Sequence, residues 1–181
     1  MLFSKEKFDF LNKKDRSRIG KIDCAILPLV GRINSLDDYY TTSSCSGRIA
    51  VIEAGRKPAK WVFVSHEKTA PENIIEALSS YSGQKELWFR VEPMILHVRC
   101  RSLERAQSLV DIARSIGFRR SGIQATGAKI MVEISSSEII DALIFKEKAL
   151  VDSSYIALLA EEADKKLEES HKKIKKLAAL I

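Results

Sequence analysis

Apolar residues recur at helical spacing from about Ser17 to Leu36, where Ile19, Ile22, Ile26, Leu29, Val30 and Ile33 fall on one face, and the pattern predicts a helix. Pro28 lies inside it and predicts a kink or a later start, because proline lacks the backbone donor a helix interior needs. Asp37-Asp38-Tyr39-Tyr40 ends this helix, and a Thr/Ser-rich stretch, Thr41 to Ser46, leads to Gly47. The period then changes. Arg48 to Glu53 and Trp61 to Ser65 are β-rich runs on either side of a Gly55/Pro58 turn, which predicts a hairpin. Thr69-Ala70-Pro71-Glu72 is a capping-box pattern opening a helix with Ile74, Leu78 and Tyr81, stopped by Gly83.

Glu86 to Glu92 and Met94 to Arg101 read as a third and a fourth strand divided by Pro93. Ser102 then caps an amphipathic helix with Leu103, Ala106, Leu109, Val110, Ala113 and Ile116, closed by Gly117. A second hairpin follows, Ser121 to Ala125 and Lys129 to Ile134, around Thr126-Gly127. The last segment, 152–181, is a long amphipathic helix with Leu167, Ile174 and Ile181 seven apart, a spacing that suits docking on the body or a dimer contact. Ser46-Gly47 and Ser121-Gly122 each open a hairpin, a faint internal echo of a duplication. The expected architecture is α+β: one domain over 1–181, with helices packed on a mixed sheet of about six strands.

The chain has 181 residues, enough to bury a core without staples, and 45% hydrophobic with 30% charged residues is globular composition. The longest apolar runs fall far short of a membrane span, and the N-terminus offers only Leu2 and Phe3 before charges begin, so no signal peptide is expected. Three scattered cysteines (Cys24, Cys45, Cys100) and three histidines (His66, His97, His171) lack metal-ligand spacing, so no metal is expected. The cysteine usage suits a reducing compartment, most simply the cytoplasm. The net charge of +6 is concentrated at the front: residues 1–36 carry eight Lys and Arg against four acids, whereas 151–181 balance six against six. An anionic partner such as RNA and a merely solvated basic face both fit that distribution.

Two segments invite chemistry. In Thr41-Thr42-Ser43-Ser44-Cys45-Ser46-Gly47-Arg48, hydroxyls and backbone N–H groups could surround a carboxylate or phosphate, with Arg48 adding a fork of donors; a polar turn is the plainer reading. Cys45 there suits packing better than nucleophilic attack, since the Cys-x-x-Arg spacing is too short for a phosphatase loop. From Met94 to Arg101, strand alternation sends Met94, Leu96, Val98 and Cys100 one way and Ile95, His97, Arg99 and Arg101 the other, so the second face could bind an anion. His66, at a strand end, could lie beside that face. Asp23 interrupts the apolar pattern of the first helix and is either a solvent-side residue or a site group. No Gly-x-Gly or Walker loop occurs, which excludes the common nucleotide-binding loops.

The runs TTSSCSGRI, WVFVSH, EPMILHVRCRSLERAQ and RRSGI resemble the wybutosine-synthesis methyltransferase family from about Lys13 to Leu167. The resemblance implies a mixed α+β fold that is not of the Rossmann type. It implies transfer of a methyl group from S-adenosylmethionine to N-4 of the tricyclic base 3′ of the anticodon of tRNA(Phe). By position it assigns Ser43, Ser44, Ser46, Gly47, Arg48, His66, His97, Arg99, Ser121, Gly122 and Ile123 to the donor, and Asp23 to the family's acidic position, our candidate base. Arg120 stands where the family has asparagine, and Arg18-Ile19-Gly20-Lys21 is a looser match, with Arg18 and Lys21 as candidate tRNA contacts. Tyr39 and Tyr40, next to the signature run, are candidate platforms for stacking the unpaired base. A non-catalytic RNA-binding protein using the same basic face is the alternative.

Overall fold

Proline placement decides where the helix expected over Ser17 to Leu36 begins. In the structure, a computed structural model that describes residues 2–13, 22–55 and 60–181, α2 spans Leu27–Ser35 with Pro28 in its first turn. There a missing N–H leaves no bond unmade. Residues 24–26 form a turn ahead of it, so Asp23 lies before the helix rather than inside it. A helix that the apolar spacing does not reveal, α1 (Leu2–Leu11), precedes both, with only Phe3 buried.

The Thr/Ser stretch is a strand. β1 (Tyr39–Cys45) corrects the turn expected there, as tyrosines and threonines suit a half-buried pleated surface. The expected hairpin forms from β2 (Arg48–Glu53) and β3 (Lys60–Ser65), followed by α3 (Pro71–Ser79). Ala70 takes the N-cap position of α3, and no side chain caps it, so the capping box is not made. Then come β4 (Leu87–Glu92), β5 (Ile95–Cys100) and α4 (Leu103–Ser115), whose N-cap Ser102 accepts the Arg105 N–H as expected. β6 (Gly122–Thr126) pairs with β7 (Ile130–Ser135) as the second hairpin. Two strands not foreseen, β8 (Ile140–Lys146) and β9 (Lys148–Ala149), separate it from α5 (Ser153–Leu180), so the echo of a duplication does not extend past the hairpins.

In place of one mixed sheet, the described strands form two antiparallel sheets, ordered β1-β5-β7-β6 and β3-β2-β4-β8-β9. The α+β class stands. The chain divides into two compact units, one comprising Met1–Ser46, Met94–Ser137 and His171–Ile181, the other Gly47–Pro93 and Glu138–Ser170. In the first, Leu96, Val98, Cys100, Val132 and Ile134 face Leu29, Val30 and Ile33 of α2, Leu109 and Val110 of α4, and Ile174 and Leu177 of α5. In the second, Ile49, Val51, Phe89, Val91 and Ile144 pack on Ile74 of α3 and on Ile156, Leu159, Ala163 and Leu167 of α5. Leu167 and Ile174, two of the heptad positions, are thus buried within the chain. Among the described residues no helix is long and apolar enough to cross a membrane.

The opposite face of the four-stranded sheet is partly covered by α1. Phe3 and Phe10 lie 5.6 and 5.2 Å from the Tyr40 ring, and Glu6 takes the Tyr40 hydroxyl at 2.9 Å, Lys129 at 3.3 Å and Arg99 at 3.5 Å. Burial pushes the Tyr40 hydroxyl up to about 12, with the Glu6 hydrogen bond adding to it. Burial raises the Glu6 carboxyl as well, but the Tyr40 and Lys129 hydrogen bonds and the Arg99 charge outweigh it, leaving Glu6 below its ordinary 4.5. A carboxylate with a lowered folded-state pKa stabilises fully above its unfolded value and loses that contribution as pH falls through the folded one. Glu6→Gln is therefore expected to lower stability by about 1–3 kcal/mol at pH 7. The gap from the parent should close as pH falls below 4.5. Urea unfolding at pH 7 and pH 3 checks this, and equal losses at both pH values would contradict it.

Candidate active site

Antiparallel register puts a polar row across the uncovered part of the four-stranded sheet. Ser43 of β1 pairs with His97 of β5, and His97 with Glu133 of β7. Ser43 Oγ lies 2.7 Å from His97 Nδ1, and His97 Nε2 lies 2.9 Å from Glu133 Oε2. Ser43 is exposed, and His97 and Glu133 are half-buried. Gly122 of β6 stands opposite Glu133, and a Cβ added to it would meet nothing within 4 Å, so the row ends in open space. The alternation expected for β5 holds: Met94, Leu96, Val98 and Cys100 are fully buried while His97 faces the other way. Burial pushes the Cys100 thiol up to about 12, which keeps it an inert packing group.

A bulge in β1 between Thr41 and Ser43 shifts the register and sends Ser43 to the His97 face, whereas Ser44 pairs with Leu96 on the other. Asp23 is brought to the end of this strand. Its Oδ2 accepts the Ser46 backbone N–H at 2.8 Å and the Ser46 hydroxyl at 3.1 Å, with Ser46 fully buried. Gly47 follows at φ +95°, a conformation that side chains disfavour and that turns the chain from β1 into β2.

Arg48 and His66 belong to the second unit. The Arg48 guanidinium meets a carboxylate of its own chain, with Nε 2.5 Å from Glu92 Oε2, and stacks 4.6 Å over the Trp61 ring. Glu92 is its cross-strand partner in β4. His66 follows β3 in the five-stranded sheet.

Other expected residues serve the architecture. Arg99 is 7% exposed; its guanidinium donates to the carbonyls of Cys100, Ile130 and Ala128 and pairs with Glu6. Tyr39 and Tyr40, the expected stacking platforms, are 9% and 2% exposed. β1 turns Tyr39 into the core, where its hydroxyl reaches the Arg105 carbonyl, and puts Tyr40 beneath α1. Ser121 is buried, and its hydroxyl accepts the Ser135 N–H at 3.3 Å, a structural bond that aligns β6 with β7; Ile123 continues β6. Arg120, in the turn before it, is exposed. Arg18 and Lys21 lie outside the described residues. Glu133 was missed: its strand was legible, but only the pairing of β7 with β5 reveals that it meets His97.

Chemically, the first unit joins an exposed hydroxyl, an imidazole and a carboxylate in one hydrogen-bonded row, with a second carboxylate fixed at the strand end. Such a set can hold an ammonium, orient a base or accept a proton.

The sequence profile of the Methyltransferase TYW3 family matches residues 5–181. The chain is 39% identical over 171 residues to the tRNA(Phe) 7-((3-amino-3-carboxypropyl)-4-demethylwyosine(37)-N(4))-methyltransferase 1 of Pyrococcus furiosus, covering 91% of this chain and 86% of that protein. It is 36% identical over 188 residues to the tRNA wybutosine-synthesizing protein 3 homolog of Danio rerio, covering 99% of this chain and 74% of that one. The solved structure of the PH1069 protein from Pyrococcus horikoshii superposes with a TM-score of 0.90 at 35% identity, covering 99% of this chain and 98% of that one.

The positive φ of Gly47 gives a direct test of the strand-end geometry. An alanine there is expected to destabilise the fold by about 1–2 kcal/mol, the penalty of the left-handed region for an L side chain. The melting temperature should fall by several degrees, and an unchanged melting curve would contradict the conformation.

Proposed function

Because the chain belongs to the Methyltransferase TYW3 family, we propose that it is a tRNA methyltransferase using S-adenosylmethionine to methylate N-4 of the tricyclic wybutosine precursor 3′ of the anticodon of tRNA(Phe). The observation that carries this reading is a family match spanning both compact units, so that 1–181 serves as one methyltransferase domain. The absence of paired cysteines among Cys24, Cys45 and Cys100 fits work in the cytoplasm.

The residues of the open face suit the methyl donor. S-Adenosylmethionine carries an ammonium and a sulfonium, which carboxylates and hydroxyl oxygens favour, and the open space at Gly122 leaves room beside Glu133. Bound, it would supply an electrophilic methyl group. Ser43, Ser46, His97 and Gly122 are the positions of the first unit we assign to holding it; Ser44, Arg99, Ser121 and Ile123 would support them from the core and sheet. In the second unit, Gly47, Arg48 and His66 keep the assignment to donor binding on the strength of family position. Transfer between a sulfonium and a ring nitrogen is an in-line displacement, so these residues act mainly by positioning.

The target nitrogen loses a proton as it gains the methyl group, and we assign Asp23 as the group that takes it. Ser46 holds Oδ2 through two hydrogen bonds and fixes the direction of the carboxylate. The Lys and Arg excess of residues 1–36, Arg18 and Lys21 included, would meet tRNA phosphates with salt-dependent affinity. Asp23→Asn keeps an oxygen for Ser46 and removes the basicity. Single-turnover methylation of precursor tRNA should slow about 10²–10⁴-fold, the usual effect of losing a positioned base. Donor affinity, measured by calorimetry, should barely change. A normal rate would make Asp23 a purely structural tie, and an equal loss of affinity would make it a donor ligand.

A further inference from the structure

We propose that Glu133 is a positioning residue: it fixes the His97 ring so that Ser43 offers its oxygen as the acceptor for an N–H group of a substrate. The inference rests on the methyltransferase reading above and adds to it a residue and a direction of hydrogen bonding. The geometry is built into three neighbouring strands, with Glu133 Oε2 2.9 Å from His97 Nε2 and Ser43 Oγ 2.7 Å from His97 Nδ1.

An ionised carboxylate only accepts, so Nε2 must carry the hydrogen. In the neutral ring Nδ1 is then bare, and the Ser43 hydroxyl must donate to it. With its hydrogen turned inward, the exposed Ser43 oxygen presents lone pairs outward, and donation to the imidazole makes it a stronger acceptor. Replacing the carboxylate by an amide removes this constraint, because an amide can accept from Nε2–H through its oxygen or donate to Nε2 through its NH₂, the latter leaving Nδ1–H facing Ser43.

Two N–H groups of the proposed reaction fit such an acceptor. One is the ammonium of the methyl donor, where no bond changes. The other is the ring N–H of the tRNA base. There the N–H bond breaks, its proton passes to Ser43 Oγ while the Ser43 proton passes to His97 Nδ1, and the nitrogen pair bonds the methyl carbon. The C–S pair stays on sulfur, and Glu133 faces the resulting imidazolium. In that case this row, rather than Asp23, takes the proton.

Imidazole ¹⁵N spectra of the free protein, recorded where the ring is neutral and assigned by loss of the signal in His97→Ala, should show the Nε2–H tautomer. In Glu133→Gln, where either end of the amide can face Nε2, the strict Nε2–H preference should relax and some Nδ1–H tautomer should be populated. Glu133→Gln and Ser43→Ala, with unfolding midpoints near the parent, are then titrated with S-adenosylmethionine and assayed by single-turnover methylation at saturating donor. A loss of donor affinity of about 10–100-fold in both variants identifies the ammonium. A rate loss of about 10²–10⁴-fold with affinity retained identifies the ring N–H. An Nδ1–H tautomer in the parent, or variants that match it in both affinity and rate, overturns the proposal. A parent chain that neither binds the donor nor methylates tRNA defeats the methyltransferase reading, a result separate from the tautomer of His97.

Discussion

The register of β5 between β1 and β7 is the constraint on which the first unit depends. β5 is paired along both edges, and Leu96, Val98 and Cys100 are completely buried on one side. A slip by one residue would put His97 and Arg99 into that core and expose the apolar set, so hydrophobic burial holds the register firmly. The opposite face follows without further choice. His97 must meet Ser43 on one neighbour and Glu133 on the other, and Arg99 must fall where α1 can cover it. Core packing thus sets the polar geometry, and the site inherits its precision from residues that take no part in chemistry.

A second tie acts where β1 ends. Asp23 draws the segment before α2 onto Ser46, and Asn34 of α2 accepts the Thr41 N–H at 2.8 Å, so the strand is anchored to one helix region at two points. The β1 bulge lies between those points, where one additional residue re-aims Ser43. Asp23 therefore has an architectural duty whatever its chemical one, and buried Arg99 with its half-buried partner Glu6 has a comparable duty under α1. The Arg99 charge is held by its two terminal amino groups, which reach three backbone carbonyls and Glu6, consistent with the steep cost of stranding a buried charge.

Much of this was legible in the chain. The alternation of Met94 to Arg101 separated the core face from the polar face correctly, because strand periodicity is a local property. The Ser102 cap and both hairpins were legible for the same reason. Other features depend on long-range pairing. Whether Thr41–Ser46 is a turn or a strand depends on β5, more than fifty residues later, and once it pairs, Tyr39 and Tyr40 must be buried. Glu133 could be seen as outward-facing but not as the partner of His97. Pro28 allowed two readings, and the structure takes the later start, leaving Asp23 outside the helix. α1 escaped notice since a single buried residue, Phe3, leaves no periodic signature. Family resemblance carried the reaction class, which no spacing in the sequence could supply.

The strand pairings also bear on how such a chain could arise. Cys45 pairs with Ile95, and Val91 pairs with Ile140, so β1 with β5, and β4 with β8, would each be an ordinary hairpin but for what intervenes. What intervenes in the first is residues 47–93 of the second unit, and in the second, residues 94–137 of the first. Each unit thus occupies, along the chain, a hairpin tip of the other, the kind of position at which insertions are tolerated. Joining residue 46 directly to 94 would leave the β1–β5 ladder with a tight connection in place of a long one. The topology is that of two reciprocal insertions, in which neither unit is contiguous along the chain and each sheet keeps all its strands when the other unit is cut out.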